Sequence, residues 1–362
     1  MRLATAEINL TALEQNLARI KQIAPNSKVM AVLKANAYGH GLVTIAQHLQ
    51  GADAFAVARI DEALALRAGG LTKPIVLLEG FFEASDLPIL LANNFETIIH
   101  DEHQLSALEQ ANLDAPIATW LKIDTGMHRL GVEPEQLEQF YARLKATKNA
   151  KRNVRLMTHF PCADDTNNEK TLSQIQHFSK LVSNKVEQTC LANSAGIIAW
   201  PDSHGDWVRP GLMLYGVSPM LDSVGSEHGL SAVMSLKTRV IAKRAIPAGE
   251  RVGYGGRWQS QIATQLAVVA MGYGDGYPRH AQEGTPVVIN GKRYGIVGSV
   301  SMDMITVDIG AENDSVQVGD EVEMWGVNLP VEEVAQCAST IPYELLCNVT
   351  PRVSYQYIKD KK

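Results

Sequence analysis

The stretch Val29-Met30-Ala31-Val32-Leu33-Lys34-Ala35-Asn36-Ala37-Tyr38-Gly39-His40-Gly41 joins an apolar run to a lysine and then to small, polar and glycine residues. A run of that length with those boundaries reads as a buried strand. A lysine where such a strand stops is costly, because burial disfavours its charged form and lowers its pKa. An amine that is partly neutral at working pH can form a Schiff base with a carbonyl cofactor. The competing reading is a lysine that lays its stem along the strand and keeps its head in water. The rest of the chain decides between the two.

Upstream, Thr11 and Glu14 have the spacing of a capping box, and Leu13, Leu17, Ile20 and Ile23 fall on one helical face before Pro25. Downstream, strand-like runs at 28–34, 54–58, 74–78, 96–99, 117–123, 154–158, 187–192 and 207–212 alternate with helix-like stretches such as 60–68, 101–110, 134–146 and 167–184. This alternation implies parallel βαβ units. About eight units over roughly 230 residues suit an α/β fold of the (β/α)8 TIM-barrel type. A doubly wound open sheet is the runner-up, but no G-x-G-x-x-G turn follows the first strand. Near residue 230 helical periodicity gives way to β-branched runs, among them Val287-Val288-Ile289 followed by Asn290-Gly291, a type I′ hairpin signal. The expected domains are therefore a barrel over 1–230 and a smaller, mostly-β C-terminal domain over 231–362, with one short helix at 330–339.

The chain has 362 residues and a formal net charge of -6, with charges of both signs well mixed. No basic cluster points to nucleic acid. No run of transmembrane length is free of charges, and the N-terminus lacks the apolar core of a secretory signal. Cys162, Cys190, Cys337 and Cys347 are scattered without metal-ligand spacing. They read as reduced thiols of a cytoplasmic protein with no metal site.

A barrel places chemistry at the C-terminal ends of its strands. Polar groups do gather at those ends: Lys34 after the first run, Lys122 through Gly131 after the fifth, Thr158-His159-Phe160 after the sixth, Asn193-Ser194 after the seventh and Arg209-Pro210-Gly211 in the eighth. Each has a plainer reading. His159 suits an ordinary strand-end histidine, Asn193 and Ser194 a helix cap, and Gly211 a turn. A cap and an anion site are compatible, because a helix N-terminus presents free N–H groups. In the β half, Val252-Gly253-Tyr254-Gly255-Gly256 and Met271-Gly272-Tyr273-Gly274-Asp275-Gly276-Tyr277-Pro278 set tyrosines between glycines, as a β-turn or a closely approached backbone would require.

Taken together these residues resemble the alanine racemase family, pyridoxal-phosphate (PLP) enzymes of fold type III, and the proteobacterial members most. The likeness runs essentially end to end. It rests on Ala31 through Gly41, Lys122 through Gly131, Trp207-Val208-Arg209-Pro210-Gly211, Gly253-Tyr254-Gly255, Gly272 through Gly276 and Ser301-Met302-Asp303, in that order. The resemblance implies a homodimer that interconverts L- and D-alanine through a PLP Schiff base and supplies D-alanine for peptidoglycan. Lys34 would hold PLP and serve as one acid/base group; Tyr254, from the partner subunit, would be the other. Tyr38, Asn193, Ser194, Gly211 and Leu212 would surround the phosphate. Arg209 would face the pyridine nitrogen and His159 would brace the ring. Arg129 would bind the phenolic oxygen and, with Met302, the substrate carboxylate. Lys122 stands where many members carry a carbamate that orients Arg129. Tyr273 and Asp303 would narrow the entrance. Pro351 stands where many members have a phosphate-contacting tyrosine, so that contact is absent or replaced.

Three alternatives remain. A decarboxylase of the same fold type would carry an acidic group opposite the pyridine nitrogen, which Arg209 argues against. A PLP-carrier protein would be a barrel alone, without the β half. A racemase of broader amino-acid specificity is the one the sequence separates least.

Overall fold

The computed structural model describes residues 3–359 in two compact units. One comprises Asn16–Leu214 with the short piece Pro219–Asp222; the other takes the chain up to Gln15, Tyr215–Ser218 and everything from Ser223 onward. The chain opens with strand β1 (Thr5–Asn9) and a helix, Leu10–Ile23. The Asn9 side chain accepts the N–H of Ala12 at 3.0 Å, so Asn9 holds the cap position that the spacing gave to Thr11. The strand runs directly into the helix and leaves no separate residue for a cap.

The barrel strands are β2 (Lys28–Val32), β3 (Ala54–Val57), β4 (Ile75–Leu77), β5 (Phe95–Ile99), β6 (Thr119–Lys122), β7 (Arg155–Met157), β8 (Thr189–Cys190) and β9 (Trp207–Val208). Each pairs in parallel with the next, and β9 returns to β2 through Lys28↔Trp207 and Val29↔Val208, which closes the barrel. The expected (β/α)8 barrel is therefore present. Parallel strands are buried on both faces, which is why these runs are continuously apolar rather than alternating. The expected helices appear at Ile60–Ala68, Glu102–Gln110, Leu137–Ala146 and Lys170–Val182. At the N-terminal end the barrel is plugged by Trp120 and Trp207, edge to face at 5.8 Å, with Arg155 over Trp120. Glu96 accepts from both Trp120 Nε1 (2.7 Å) and Arg155 Nη1 (2.5 Å). One carboxylate thus serves both the indole and the guanidinium of that plug, and the opposite end is left for chemistry.

The second unit is built from β10 (Met234–Ile246), β11 (Arg251–Val252), β12 (Trp258–Gln259), β13 (Thr264–Val269), β14 (Pro286–Ile289), β15 (Lys292–Val297), β16 (Ile305–Gly310), β17 (Glu321–Trp325) and β18 (Ser354–Ile358). The large sheet runs β13-β16-β15-β14-β17-β10-β1-β18, and β10 also pairs with β13, so most of it curls shut. Asn290 (φ 50) and Gly291 (φ 76) both take positive φ, as a type I′ hairpin demands. The short helix lies at Val331–Cys337.

The division of the chain differs from the expected 1–230 and 231–362. It falls after Leu214, and β1 belongs with the β unit. The reason is hydrogen bonding: β1 pairs antiparallel with β10 and parallel with β18. Among the described residues no helix is long and apolar enough to cross a membrane, and no group of three or more His, Cys, Asp or Glu is placed to hold a metal.

Candidate active site

The strand before Lys34 ends at Val32, earlier than the apolar run suggests. Beyond Lys34 the backbone makes a turn of left-handed helix through four non-glycine residues: Ala35 (φ 54), Asn36 (φ 55), Ala37 (φ 55) and Tyr38 (φ 50). For L-residues this conformation costs roughly 1–2 kcal/mol each. Strain of this kind persists only where the surroundings over-determine it, and it gathers at functional sites. The turn carries Lys34 at its start and buried Tyr38 at its end.

Lys34 shares its surroundings with the other strand-end groups. Lys122, the last residue of β6, is buried, and its amine is pushed down to about 8. Burial is the main cause; the charges of Arg209, Arg129 and Lys34 add to it, and Asp124 opposes it. His159, just past β7, is held well below its ordinary value, first by burial and then by Arg209, Lys122, Arg129 and Lys34. The same four cations therefore act on one neutral imidazole. Such a concentration of positive charge is suited to an anionic ligand.

Arg209 follows β9 and is 4% exposed. Its Nη1 donates to the Cys190 carbonyl (2.9 Å) and to Cys190 Sγ (3.0 Å). Its Nη2 donates to the carbonyls of Thr158 (2.7 Å) and Leu191 (3.1 Å) and to His159 Nδ1 (3.2 Å). A guanidinium can only donate, so His159 Nδ1 is the acceptor and its proton sits on Nε2. Both terminal nitrogens are thereby committed, while Nε has no hydrogen bond among the described residues.

The next cluster joins Tyr38, Ser194 and Gly211. Ser194 Oγ accepts the N–H groups of Gly211 (2.9 Å) and Met213 (3.4 Å), which leaves its hydroxyl proton to donate elsewhere. A Cβ on Gly211 would lie 2.5 Å from Tyr38 Oη, so only glycine lets that hydroxyl stand there. The N–H of Gly211 is already engaged, and the residue's contribution is room. Leu212 is buried at the start of the 3-10 turn Leu212–Tyr215. Asn193 has the plainer role: its Oδ1 caps the helix Ser194–Ala199 at Gly196 N–H (2.9 Å), and its Nδ2 reaches the Phe160 carbonyl (3.3 Å).

The remaining residues named from the sequence lie on the β unit. Tyr254 sits between β11 and β12, is 74% exposed, and is flanked by Gly253 (φ 72), Gly255 (φ 75) and Gly256 (φ 52). The Tyr273 N–H donates to the Ser301 carbonyl (3.1 Å) and the Gly274 N–H to that of Met302 (2.9 Å), which joins the two loops. A Cβ on Gly298 would meet the Val252 carbonyl at 2.9 Å, so the base of the Tyr254 hairpin packs on the same loop. Asp303 accepts from Arg352 Nη2 at 2.8 Å. Tyr273 and Met302 are exposed like Tyr254. Sequence reading missed Arg352 as the partner of Asp303 and Cys190 as a partner of Arg209. Neither residue lies in a recognisable pattern, and no sequence signal pointed to them.

Residues 8–219 match the family model described as alanine racemase, N-terminal domain, and residues 233–357 match the one described as alanine racemase, C-terminal domain. An alanine racemase of Vibrio cholerae is 55% identical over 357 residues, 99% of each chain. One from Yersinia pestis is 53% identical over 358 residues, again 99% of each. Among solved structures, the biosynthetic alanine racemase of Pseudomonas aeruginosa superposes with a TM-score of 0.96 at 42% identity, covering 99% of this chain and 100% of that one. The alanine racemase of Bartonella henselae, described with covalently bound pyridoxal phosphate, gives 0.88 at 30% identity, covering 98% of this chain and 99% of that one.

Proposed function

The chain belongs to the alanine racemase family and interconverts L- and D-alanine, and we propose that it does so by a two-base mechanism with PLP on the barrel unit and Tyr254 from a second copy. A homodimer with shared sites, a cytoplasmic location and supply of D-alanine for peptidoglycan belong to the same reading. The observation that carries it is the contact of buried Arg209 Nη2 with His159 Nδ1 at 3.2 Å at the strand ends, beside Lys34, Lys122 and the loop residue Arg129, where burial first and then these four cations hold His159 below its ordinary value.

The residues fit PLP. The Ser194 and Tyr38 hydroxyls beside Gly211 form a donor cradle that a side chain at 211 would fill. Arg209 Nε suits a ring nitrogen, and the cation excess suits a phosphate and a phenolic oxygen. Bound there, PLP supplies the electron sink that makes the α-proton of an attached amino acid removable.

The protein's part is to move that proton between two faces. Lys34 Nζ would hold the cofactor and, once free, take or give the proton on one face. Tyr254 Oη does so on the other. A guanidinium has no acceptor, so Arg209 would hold the ring nitrogen by donating to it and would favour its unprotonated form. That weakens the sink and limits side reactions such as transamination. His159 acts as a neutral brace on Arg209. Asn193 shapes the phosphate loop through its cap. Arg129 binds the substrate carboxylate together with Met302, and Tyr273 and Asp303 keep the entrance small.

Lys122 is matched to carbamylation. At pH 7 an amine with a pKa of about 8 is neutral roughly 300-fold more often than one at the ordinary value. The neutral amine attacks CO2 and releases a proton, and the carbamate places a negative charge between Arg209 and Arg129.

The test is a panel of L-amino acids incubated with PLP-loaded protein and analysed on a chiral column. D-alanine should form far faster than any other D-isomer. Equal rates on larger side chains would favour the broader racemase. Bound PLP without racemisation would favour the carrier reading, against which the β unit with Tyr254 stands.

A further inference from the structure

Lys34 and Tyr38 stand at the two ends of the left-handed turn, so whatever holds the turn sets the amine relative to the phosphate-side hydroxyl. Two side chains with no chemical role assigned above hold it. Glu62, in the helix Ile60–Ala68, spans two strand ends. Its Oε1 accepts the N–H of Ala35 at 2.7 Å, and its Oε2 accepts those of Ala58 (3.0 Å) and Arg59 (3.2 Å). One carboxylate thereby ties the residue after Lys34 to the loop that leaves β3. Hydrogen bonds to an ionised acceptor are the stronger kind.

His40 closes the other end. Its Nδ1 lies 3.1 Å from the Ala37 carbonyl and 2.8 Å from that of Tyr38. Both partners are acceptors, so Nδ1 carries the proton and donates. The ring is fully buried, and burial keeps it neutral, with its pKa pushed down to about 4. Between the two, Asn36 Oδ1 accepts the N–H of Leu42 at 2.9 Å. Packing alone would not hold this turn, because Ala35 and Asn36 are exposed. Four residues in a disfavoured conformation need such bonds to remain in it.

We infer that Glu62 and His40 are positioning residues: together they lock the left-handed turn and so fix Lys34 Nζ and Tyr38 Oη relative to each other. The inference rests on the reading of Lys34 and Tyr38 as cofactor-holding residues. It adds that the lysine is placed by a carboxylate on the neighbouring βα unit and by a neutral imidazole under the turn.

Three variants test it. Glu62→Gln leaves one acceptor oxygen where two are used and points an amide NH2 at backbone donors. His40→Leu removes the donor and keeps an apolar side chain. His40→Asn keeps an N–H near the position of Nδ1. Each is compared with wild type for folding by circular dichroism, for hydrogen exchange of the peptide 33–41 in the apo-protein, for PLP release, and for kcat and KM on alanine. Glu62→Gln and His40→Leu should fold, exchange that peptide at least about tenfold faster and release PLP faster. Their kcat should fall by about 10–100-fold with KM changed less than about threefold, as a small misplacement of a reacting group predicts. His40→Asn should stay within about threefold of wild type throughout.

Wild-type exchange and kcat in Glu62→Gln would overturn the inference. If His40→Leu does not fold, Glu62→Gln decides alone, since Glu62 is not in the core. A wild-type protein that neither binds PLP nor racemises would refute the cofactor reading instead. The exchange data on the apo-protein would still judge the clamp by themselves.

Discussion

The turn that carries Lys34 bends left-handed through four non-glycine residues, whereas the hairpin tip that carries Tyr254 takes its positive φ angles at Gly253, Gly255 and Gly256. The first is strained and tied down at Ala35, Ala37 and Tyr38 by side chains from its own unit. The second is unstrained, 74% exposed, and without a side-chain hydrogen bond from Tyr254 among the described residues. Glycine reaches these angles freely but leaves the backbone free to depart from them. The lysine's position is thus built into the barrel unit. The position of the tyrosine must come from whatever contacts that exposed tip, and a second copy of the chain is the occupant proposed above.

The largest expected effects fall on the two groups themselves. Lys34→Ala should lower racemisation by about 10⁴-fold and remove the visible absorbance of the lysine-bound cofactor. Tyr254→Phe should lower it by about 10²–10⁴-fold and keep that absorbance. Near-wild-type rates in Tyr254→Phe would end the two-base reading. Mixing the two inactive variants sharpens the comparison. If the tyrosine crosses to the other copy, random reassembly should restore about one quarter of the sites. No recovery in verified heterodimers would place Tyr254 in its own subunit's site.

The contrast in stability comes next. His40 must stay neutral in the folded protein, with a pKa of about 4 against 6.5 unfolded. Between those values the unfolded chain binds more protons. Stability is therefore full above pH 6.5 and declines as pH falls toward 4, by about 3 kcal/mol from this group. His159, also depressed, acts in the same direction. Urea midpoints between pH 4 and 7 should show that slope, and His40→Asn should flatten it.

The backbones themselves can be exchanged in kind. Gly253 (φ 72, ψ -170) lies in a region that only glycine occupies readily, so Gly253→Ala should cost about 1–3 kcal/mol locally. Ala37→Gly relieves a strained residue while adding unfolded entropy, and should change the unfolding free energy from urea titration by less than about 1 kcal/mol. Equal costs at both sites would erase the distinction drawn here. The last effect concerns Lys122. Raising the pH from 7 to 9 at fixed dissolved CO2 should increase the initial rate of carbamate formation, followed as the mass adduct, about tenfold, because the neutral amine that attacks CO2 rises through its pKa of about 8. A flat response would mean that the amine is not the titrating partner.

Much of this was legible in the chain. Eight apolar runs gave the eight barrel strands, because a strand buried on both faces must be apolar along its length. The strand-end polar residues marked the end of the barrel where the cations gather around His159, because a barrel leaves that end open to its loops. Other features were not legible. Thr11 and Asn9 are both good caps, and only the point where β1 stops made Asn9 the one used. Asn193 reads as a helix cap or a ligand-holding residue, and only the structure showed that its Oδ1 does make the cap at Gly196. No local pattern could assign β1 to the β unit, since its partners lie more than two hundred residues away.

By itself the sequence determined the class of each segment, the open end of the barrel and the residue types gathered there, because these follow from periodicity and local chemistry. Only the tertiary structure decided that Lys34 begins a left-handed turn, that Glu62 and His40 hold it, and that four cations act on one neutral His159. Handedness, partner choice and pKa all depend on groups brought together from distant parts of the chain. A strand that ends in lysine reads the same in sequence whichever way its backbone then turns.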